Sequence, residues 1–289
     1  LHGYADVQLN NLFNKGEQMA IYWQNTSQKQ TLFKLSTVIP YLWKSPISLD
    51  AHFELHKQDS TFLTNTFGAG LGYRFENHIV KASIQNDASN LLSTPSQLLL
   101  NDYTKTWYGL NYFYRLEKDH RFFATQFESS WSAFTGNRKT LQENISQQKI
   151  AVLLNYTWEL NPRHFLFLQN QSAKMIGKHF LINELMLIGG NNTMRGFNEN
   201  QFYSSAYSIF NLEYRLVTST DSYFYSITDY GQSKNKIEHK NLIMLGLGLG
   251  YVFKVNSGFL NISYSIGKFS NTSFDFNHSK VHVKWMQNF

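Results

Sequence analysis

The chain predicts an all-β fold, a transmembrane antiparallel β-barrel of about 16 strands with an extracellular loop folded into its lumen. Alternation is the first reason. From Ile47 to His56, the apolar Ile47, Leu49, Ala51, Phe53 and Leu55 are separated by Ser48, Asp50, His52, Glu54 and His56. Period-2 alternation sets one strand face in an apolar medium and the other in a polar one. Aromatic content is the second reason: 16% of residues, with 24 Phe and 17 Tyr, in a chain of mean hydropathy −0.37. Third, no run of about 18 apolar residues occurs, which excludes a spanning helix but not a barrel, whose strands show lipid only every second residue. Residues 1–289 are read as one barrel domain.

The elements follow in order. Ala5, Val7 and Leu9 alternate with Asp6, Gln8 and Asn10, and Met19, Ile21 and Trp23 with Gln18, Ala20, Tyr22 and Gln24. Val152, Leu154, Tyr156 and Trp158 make a later apolar face, as do Leu260, Ile262, Tyr264 and Ile266 opposite Asn261, Ser263 and Ser265. Turn signals separate the runs, among them Asn14-Lys15-Gly16, Ser27-Gln28-Lys29, Gln58-Asp59-Ser60, Glu117-Lys118-Asp119 and Asn161-Pro162. A strand with its connection takes roughly 18 residues. Strand centres are therefore expected near residues 7, 21, 35, 51, 68, 82, 109, 127, 154, 167, 184, 211, 226, 248, 262 and 284, with broken alternation in the sixth, tenth, eleventh and thirteenth. An even number brings both ends to one rim. With the first strand rising from the periplasm, odd-to-even connections are extracellular, and the loop around Arg195 is the sixth of them. Polar connections from Ser89 to Asp102 and from Thr135 to Gln148 then fall on the periplasmic side, where outer-membrane barrels ordinarily keep short turns.

Charge and cysteine usage narrow the class. A net charge of +6 comes from basic residues scattered singly among strands, which argues against a nucleic-acid surface. The absence of Cys excludes disulfides and thiolate metal sites and suits an envelope protein. Leu1 opens the chain without a basic or apolar leader, so a signal peptide and further domains are expected upstream.

Two clusters suggest chemistry and are given plainer readings. Asp50, His52, Glu54 and His56 lie about 7 Å apart along one strand, too far for several of them to hold one ion, so they line a wet lumen and no metal is expected. Gly246, Gly248 and Gly250 sit among alternating Leu245, Leu247, Leu249 and Tyr251 with no helix after them; they form a bare inner stripe that permits bending or close approach of a loop. No nucleophile elbow or nucleophile–His spacing is present, so neither an enzyme nor a cofactor is expected.

The stretch LMLIGGNNTMRGFNENQFYSSAYSIFNLE, from Leu185 to Glu213, places Met194-Arg195-Gly196-Phe197 in a polar loop after Gly189-Gly190. An arginine is held rigidly there only if an acid receives it, and Glu213 and Asp229, the latter in Asp229-Tyr230-Gly231, are the candidates. This loop resembles the Arg-Gly-aromatic loop of the BamA/TamA superfamily of outer-membrane β-barrel assembly factors. Gly3-Tyr4-Ala5-Asp6, Asn10-Asn11-Leu12-Phe13, Tyr41-Leu42-Trp43-Lys44-Ser45-Pro46, Lys57-Gln58-Asp59-Ser60-Thr61-Phe62 and Asn183-Glu184-Leu185 are similar to Bacteroidota members. The C-terminal VHVKWMQNF, with Val281, Val283, Trp285 and Phe289 on one face, resembles the terminal signal of Gram-negative outer-membrane proteins.

The resemblance implies an integral outer-membrane protein preceded by periplasmic POTRA domains. It implies insertion of unfolded outer-membrane clients into the lipid bilayer, with periplasmic or lipoprotein accessory subunits. The lateral gate would lie between the first strand (Gly3, Ala5, Val7, Leu9) and the last (Val281, Val283, Trp285, Phe289), which are expected to pair weakly. Alternatives are a related barrel that translocates or tethers a passenger, and a passive porin-like channel.

Overall fold

Alternation sorts the side chains onto the two faces of one large antiparallel sheet. The computed structural model describes residues 3–11, 13–26, 29–93, 99–255 and 258–286. The first half contributes β1 (Gly3–Asn10), β2 (Gln18–Asn25), β3 (Gln30–Ile39), β4 (Ile47–Gln58), β5 (Phe62–Phe75), β6 (His78–Leu91), β7 (Tyr103–Glu117) and β8 (Thr125–Lys139). After β9 (Asn144–Asn161) and β10 (His164–Ile176), the chain forms two short strands, β11 (Met186–Ile188) and β12 (Phe202–Ser204), which pair only with each other. It then resumes with β13 (Ala206–Ser219), β14 (Ser222–Asn235), β15 (Lys240–Val255), β16 (Gly258–Phe269) and β17 (Lys280–Met286). Three single-turn 3-10 segments complete the described structure.

Among the described residues, fifteen strands form the main sheet in chain order, β10 pairing directly with β13. The strand expected near residue 184 is therefore not in it. That position is a 3-10 turn, Ile182–Glu184. The loss changes parity, and with it the expected closure. In an antiparallel sheet the first and fifteenth strands run the same way, so β1 and β17 cannot close the sheet with an antiparallel ladder. Among the described residues β1 pairs with β2, β17 pairs with β16, and nothing joins β1 to β17. The expected closed barrel is thus corrected to a curled sheet with two free edges. Phe289, assigned to the last strand from the sequence, lies outside the described residues, as do Leu12 of the Asn10-Asn11-Leu12-Phe13 motif and Ser27 and Gln28 of one turn.

Curling is visible in contacts between distant strands. Phe122, before β8, sets its ring 5.1 Å from Tyr223 on β14 and 5.6 Å from Phe259 on β16. The convex face carries exposed Phe67, Leu71, Leu110, Trp131, Phe210, Leu249 and Val281, apolar residues spread from β5 to β17 that suit a lipid surrounding. The concave face carries the polar partners.

Connection lengths give the sheet its orientation. On the rim opposite Arg195 the turns are short, such as residues 76–77, 162–163 and 220–221. The strand ends joined by the longer connections, β6 to β7, β10 to β13 and β16 to β17, all lie on the Arg195 rim. Short periplasmic turns and long outer loops are the outer-membrane rule, so the Arg195 rim faces outward and β1 descends from it, opposite to the expected direction. The connection after Ser89 accordingly joins the outer rim. The expected loop from Thr135 to Gln148 is mostly strand, leaving residues 140–143 as the turn. There β8 and β9 carry polar side chains on both faces, so alternation is lost without loss of the ladder.

Candidate functional site

Residues 177–205 leave the sheet after β10 and cross its concave side, and the motif sits at the tip of that crossing. Each of its four residues has a distinct receptor. Met194 is fully buried among Ile188, Phe197, Ile209 and Met244. Gly231 leaves the room for it: a Cβ there would lie 3.1 Å from the Met194 sulfur. Phe197 packs its ring 5.4 Å from Phe202 and 5.3 Å from Phe269. Gly196 has φ +89° and backs onto β16, where a Cβ would come within 2.5 Å of the Gly267 nitrogen, so glycine is required twice over.

Arg195 enters an acidic receptor built by β13 and β14. Its backbone N–H donates to Asp229 Oδ2 at 3.0 Å, its Nε to the same oxygen at 2.8 Å, and its Nη2 to Asp229 Oδ1 at 2.6 Å. Nη1 donates to Glu213 Oε1. Asn211 and Asp229 are register partners across the two strands, and both face inward with Glu213. Burial alone would favour deprotonation of Arg195. Hydrogen bonding to Asp229 and the charges of Glu213 and Asp229 outweigh it and raise the guanidinium above its ordinary pKa. Gly246, from the glycine stripe, makes the approach possible, since a Cβ there would lie 2.3 Å from the Arg195 carbonyl oxygen.

Two connected features escape sequence reasoning. Glu213 also accepts from Arg215, at 2.8 Å from Nε and 2.7 Å from Nη2. The Arg215 guanidinium lies over Phe167 at 4.0 Å and Phe123 at 4.9 Å. Residues 118–124, between β7 and β8, thereby fold inward from the opposite rim, with Phe123 buried beside Phe165 and Tyr223. An unbroken line of contacts runs from the outer loop through Asp229, Arg195, Glu213 and Arg215 to this inner aromatic cluster.

The second feature is a buried anchor at the base of the crossing. Glu184 receives Lys105 Nζ at 2.5 Å, Arg138 Nη1 at 2.7 Å, Gln147 Nε2 at 3.1 Å and the Leu181 N–H at 2.8 Å. Neighbouring Asn183 donates to Ser89 Oγ at 2.8 Å and to the Asn101 carbonyl at 2.9 Å. The crossing is thus fixed to β7–β9 at its base and to β13–β14 at its tip. The sequence signals for the anchor are the broken alternation around residue 184 and the Asn183-Glu184-Leu185 resemblance, and neither names its partners.

Elsewhere, Asp50 pairs with Lys81 at 2.6 Å and Glu54 with Lys34 at 2.9 Å, as suits a wet concave face. The expected gate residues Gly3, Ala5, Val7 and Leu9 lie on one free edge, and Val281, Val283 and Trp285 on the other. The structure does not bring these two sets together.

A sheet with an apolar convex face, a polar concave face and a clamped crossing is that of an integral outer-membrane β protein. The chain belongs to the haemolysin secretion/activation protein ShlB/FhaC/HecB family, whose profile matches residues 94–253. It is therefore a member of the Omp85/two-partner-secretion superfamily of outer-membrane transport proteins, which are not enzymes. The match supports the resemblance at the level of the superfamily, and the family it names is one of secretion/activation proteins.

Similar solved structures are BamA from Haemophilus ducreyi lacking POTRA domains 1–3 (TM-score 0.70, 12% identity, 98% of this chain and 66% of that one), CdiB from Escherichia coli (0.66, 11%, 98% and 58%) and CdiB from Acinetobacter baumannii (0.62, 14%, 94% and 54%). At such identities the likeness concerns the fold. The chain spans between about half and two-thirds of each of these proteins. No curated protein matches it.

Proposed function

We propose that this chain is the membrane-embedded part of an outer-membrane factor that translocates a secreted polypeptide, with the Arg195 crossing as the element that must be seated for transport. The match to a secretion family across residues 94–253 carries this reading, because that span holds the anchor, the motif and both acidic receivers. Upstream POTRA-type domains would deliver the substrate from the periplasm. A passive channel is disfavoured, since residues 177–205 and 118–124 both occupy the concave side.

A second reading, assembly of outer-membrane proteins, is favoured by the Arg195-Gly196-Phe197 loop and by the free edges of β1 and β17, to which a client strand could add. Its partners would be unfolded outer-membrane proteins and accessory lipoproteins. One experiment separates the two: deplete the protein, supply wild type or Arg195→Ala, and compare the culture medium with the outer-membrane fraction. Loss of particular secreted proteins with normal outer-membrane protein levels supports translocation. A general fall in outer-membrane proteins supports assembly, and no change in either fraction removes Arg195 from the mechanism.

A further inference from the structure

On the convex face, the outer-rim end of β10, β13 and β14 breaks the apolar pattern. Register puts Lys174 beside Ala206 and Ala206 beside Lys234, so the two lysines stand two strand spacings apart, about 10 Å, one to three residues from their strand ends. Both are exposed, and neither makes an ion pair among the described residues. Directly below them, Ser172 and Ser208 pair across the ladder, with Gln232 next along the row. Their side chains are satisfied within the patch: the Ser172 hydroxyl contacts the Ser208 hydroxyl and Asn170 Oδ1, both at 2.9 Å, and Asn170 Nδ2 donates to Ser208 Oγ at 3.2 Å.

Small, self-satisfied side chains leave a depression of about 650 Å³, walled by Ile150 and Val152 on one side and Ile243 on the other. Farther down the same face Phe210, Leu212 and Tyr214 restore the apolar surface. Lysines at a membrane interface ordinarily need only reach water. Here they flank the mouth of an apolar trough at the height of the headgroups.

We propose that this surface binds one lipopolysaccharide molecule of the outer leaflet, with a lipid A phosphate between Lys174 and Lys234 and an acyl chain in the trough over Ser172 and Ser208. Charge selects the phosphate, the trough selects the chain, and the outward direction of this rim selects the leaflet. The site lies on the face opposite the Arg195 receptor. It goes beyond the transport reading and does not depend on which polypeptide is moved.

The test is native mass spectrometry of the purified chain in mild detergent, titrated with hexa-acylated lipid A and, separately, with phosphatidylglycerol. Wild type should retain one lipid A. Lys174→Glu/Lys234→Glu should weaken retention at least tenfold, and Ser208→Leu, which fills the trough with a residue suited to lipid, should weaken it with both lysines intact. Lys174→Gln/Lys234→Gln repeats the test without charge reversal, and heat-modifiable gel mobility checks that each variant is folded. Equal retention by folded wild type and the lysine variants overturns the site. Preference for phosphatidylglycerol over lipid A overturns the outer-leaflet lipid as its occupant.

Discussion

Arg195 does not treat its two acids alike. Asp229 is fully buried and takes three hydrogen bonds from Arg195, whereas Glu213 shares its charge with Arg215. Arg195→Ala therefore leaves Asp229 as a buried carboxylate without a cation, while Glu213 keeps one. Stranding a buried charge costs about 3–5 kcal/mol. Urea unfolding in lipid vesicles should show a loss of that order, largely recovered when Asp229→Asn is added; an additive double variant would contradict the assignment. Arg195→Lys should restore function only in part, because lysine lacks the planar fork that engages Asp229 through two nitrogens. Glu199, in the same loop, gives a pH signature. Burial raises its carboxyl above the ordinary range, against the opposing hydrogen bonds from Asn191 and Gln24. A raised folded-state pKa means that the seated loop binds the proton more tightly than the released one. That contribution is fully present below the unfolded value and is lost as pH rises through the folded one. Hydrogen exchange at residues 189–201 should slow on mild acidification after correction for intrinsic rates, and Glu199→Gln should abolish the trend. An unchanged profile in that variant would rule Glu199 out.

At the scale of the element, the crossing of residues 177–205 behaves as a strut with two feet. The outer foot is Glu184, whose side chain is 0% exposed and lies against Lys105 and Arg138, themselves 2% and 0% exposed. Glu184→Gln keeps the shape and removes the anion between two buried cations, of which Arg138 alone has a second partner, Glu143. Limited proteolysis should then cut within residues 177–205 at least tenfold faster than in wild type, with the sheet itself resistant; equal rates would show that the anchor is redundant. This foot was not legible in the sequence. The three side chains that meet Glu184 come from 79, 46 and 37 residues away, and no local pattern encodes such a meeting. The other foot was legible, because Arg-Gly-Phe in a polar loop demands an acid and two inward acids follow within 34 residues.

For the whole molecule, parity decides the outline. Among the described residues, fifteen strands in chain order leave β1 and β17 parallel and unjoined, so their outward residues border two edges instead of one seam. The chain has no Cys, which makes pairing simple to probe. Cysteines at Val7 and Ile21, register partners in β1 and β2, should couple readily under mild oxidation in the folded chain. Cysteines at Val7 and Val283 should not. Efficient coupling of the second pair would contradict the open sheet.

Alternation, aromatic content and turn spacing determined that this is an all-β membrane protein and placed strands at fifteen of the sixteen expected centres, because lipid on one face and water on the other favour a period of two in the strands between them. The motif loop and its two acids were likewise readable, since a buried guanidinium needs carboxylates nearby. Only the tertiary structure decided the rest: that residues 182–184 leave the sheet to reach Lys105 and Arg138, that this departure makes the strand count odd, and that Phe123 meets Arg215 from the other rim. These are contacts between segments far apart in the chain. Charge pairing and ring packing across the concave side select them, and neither leaves a local period to read.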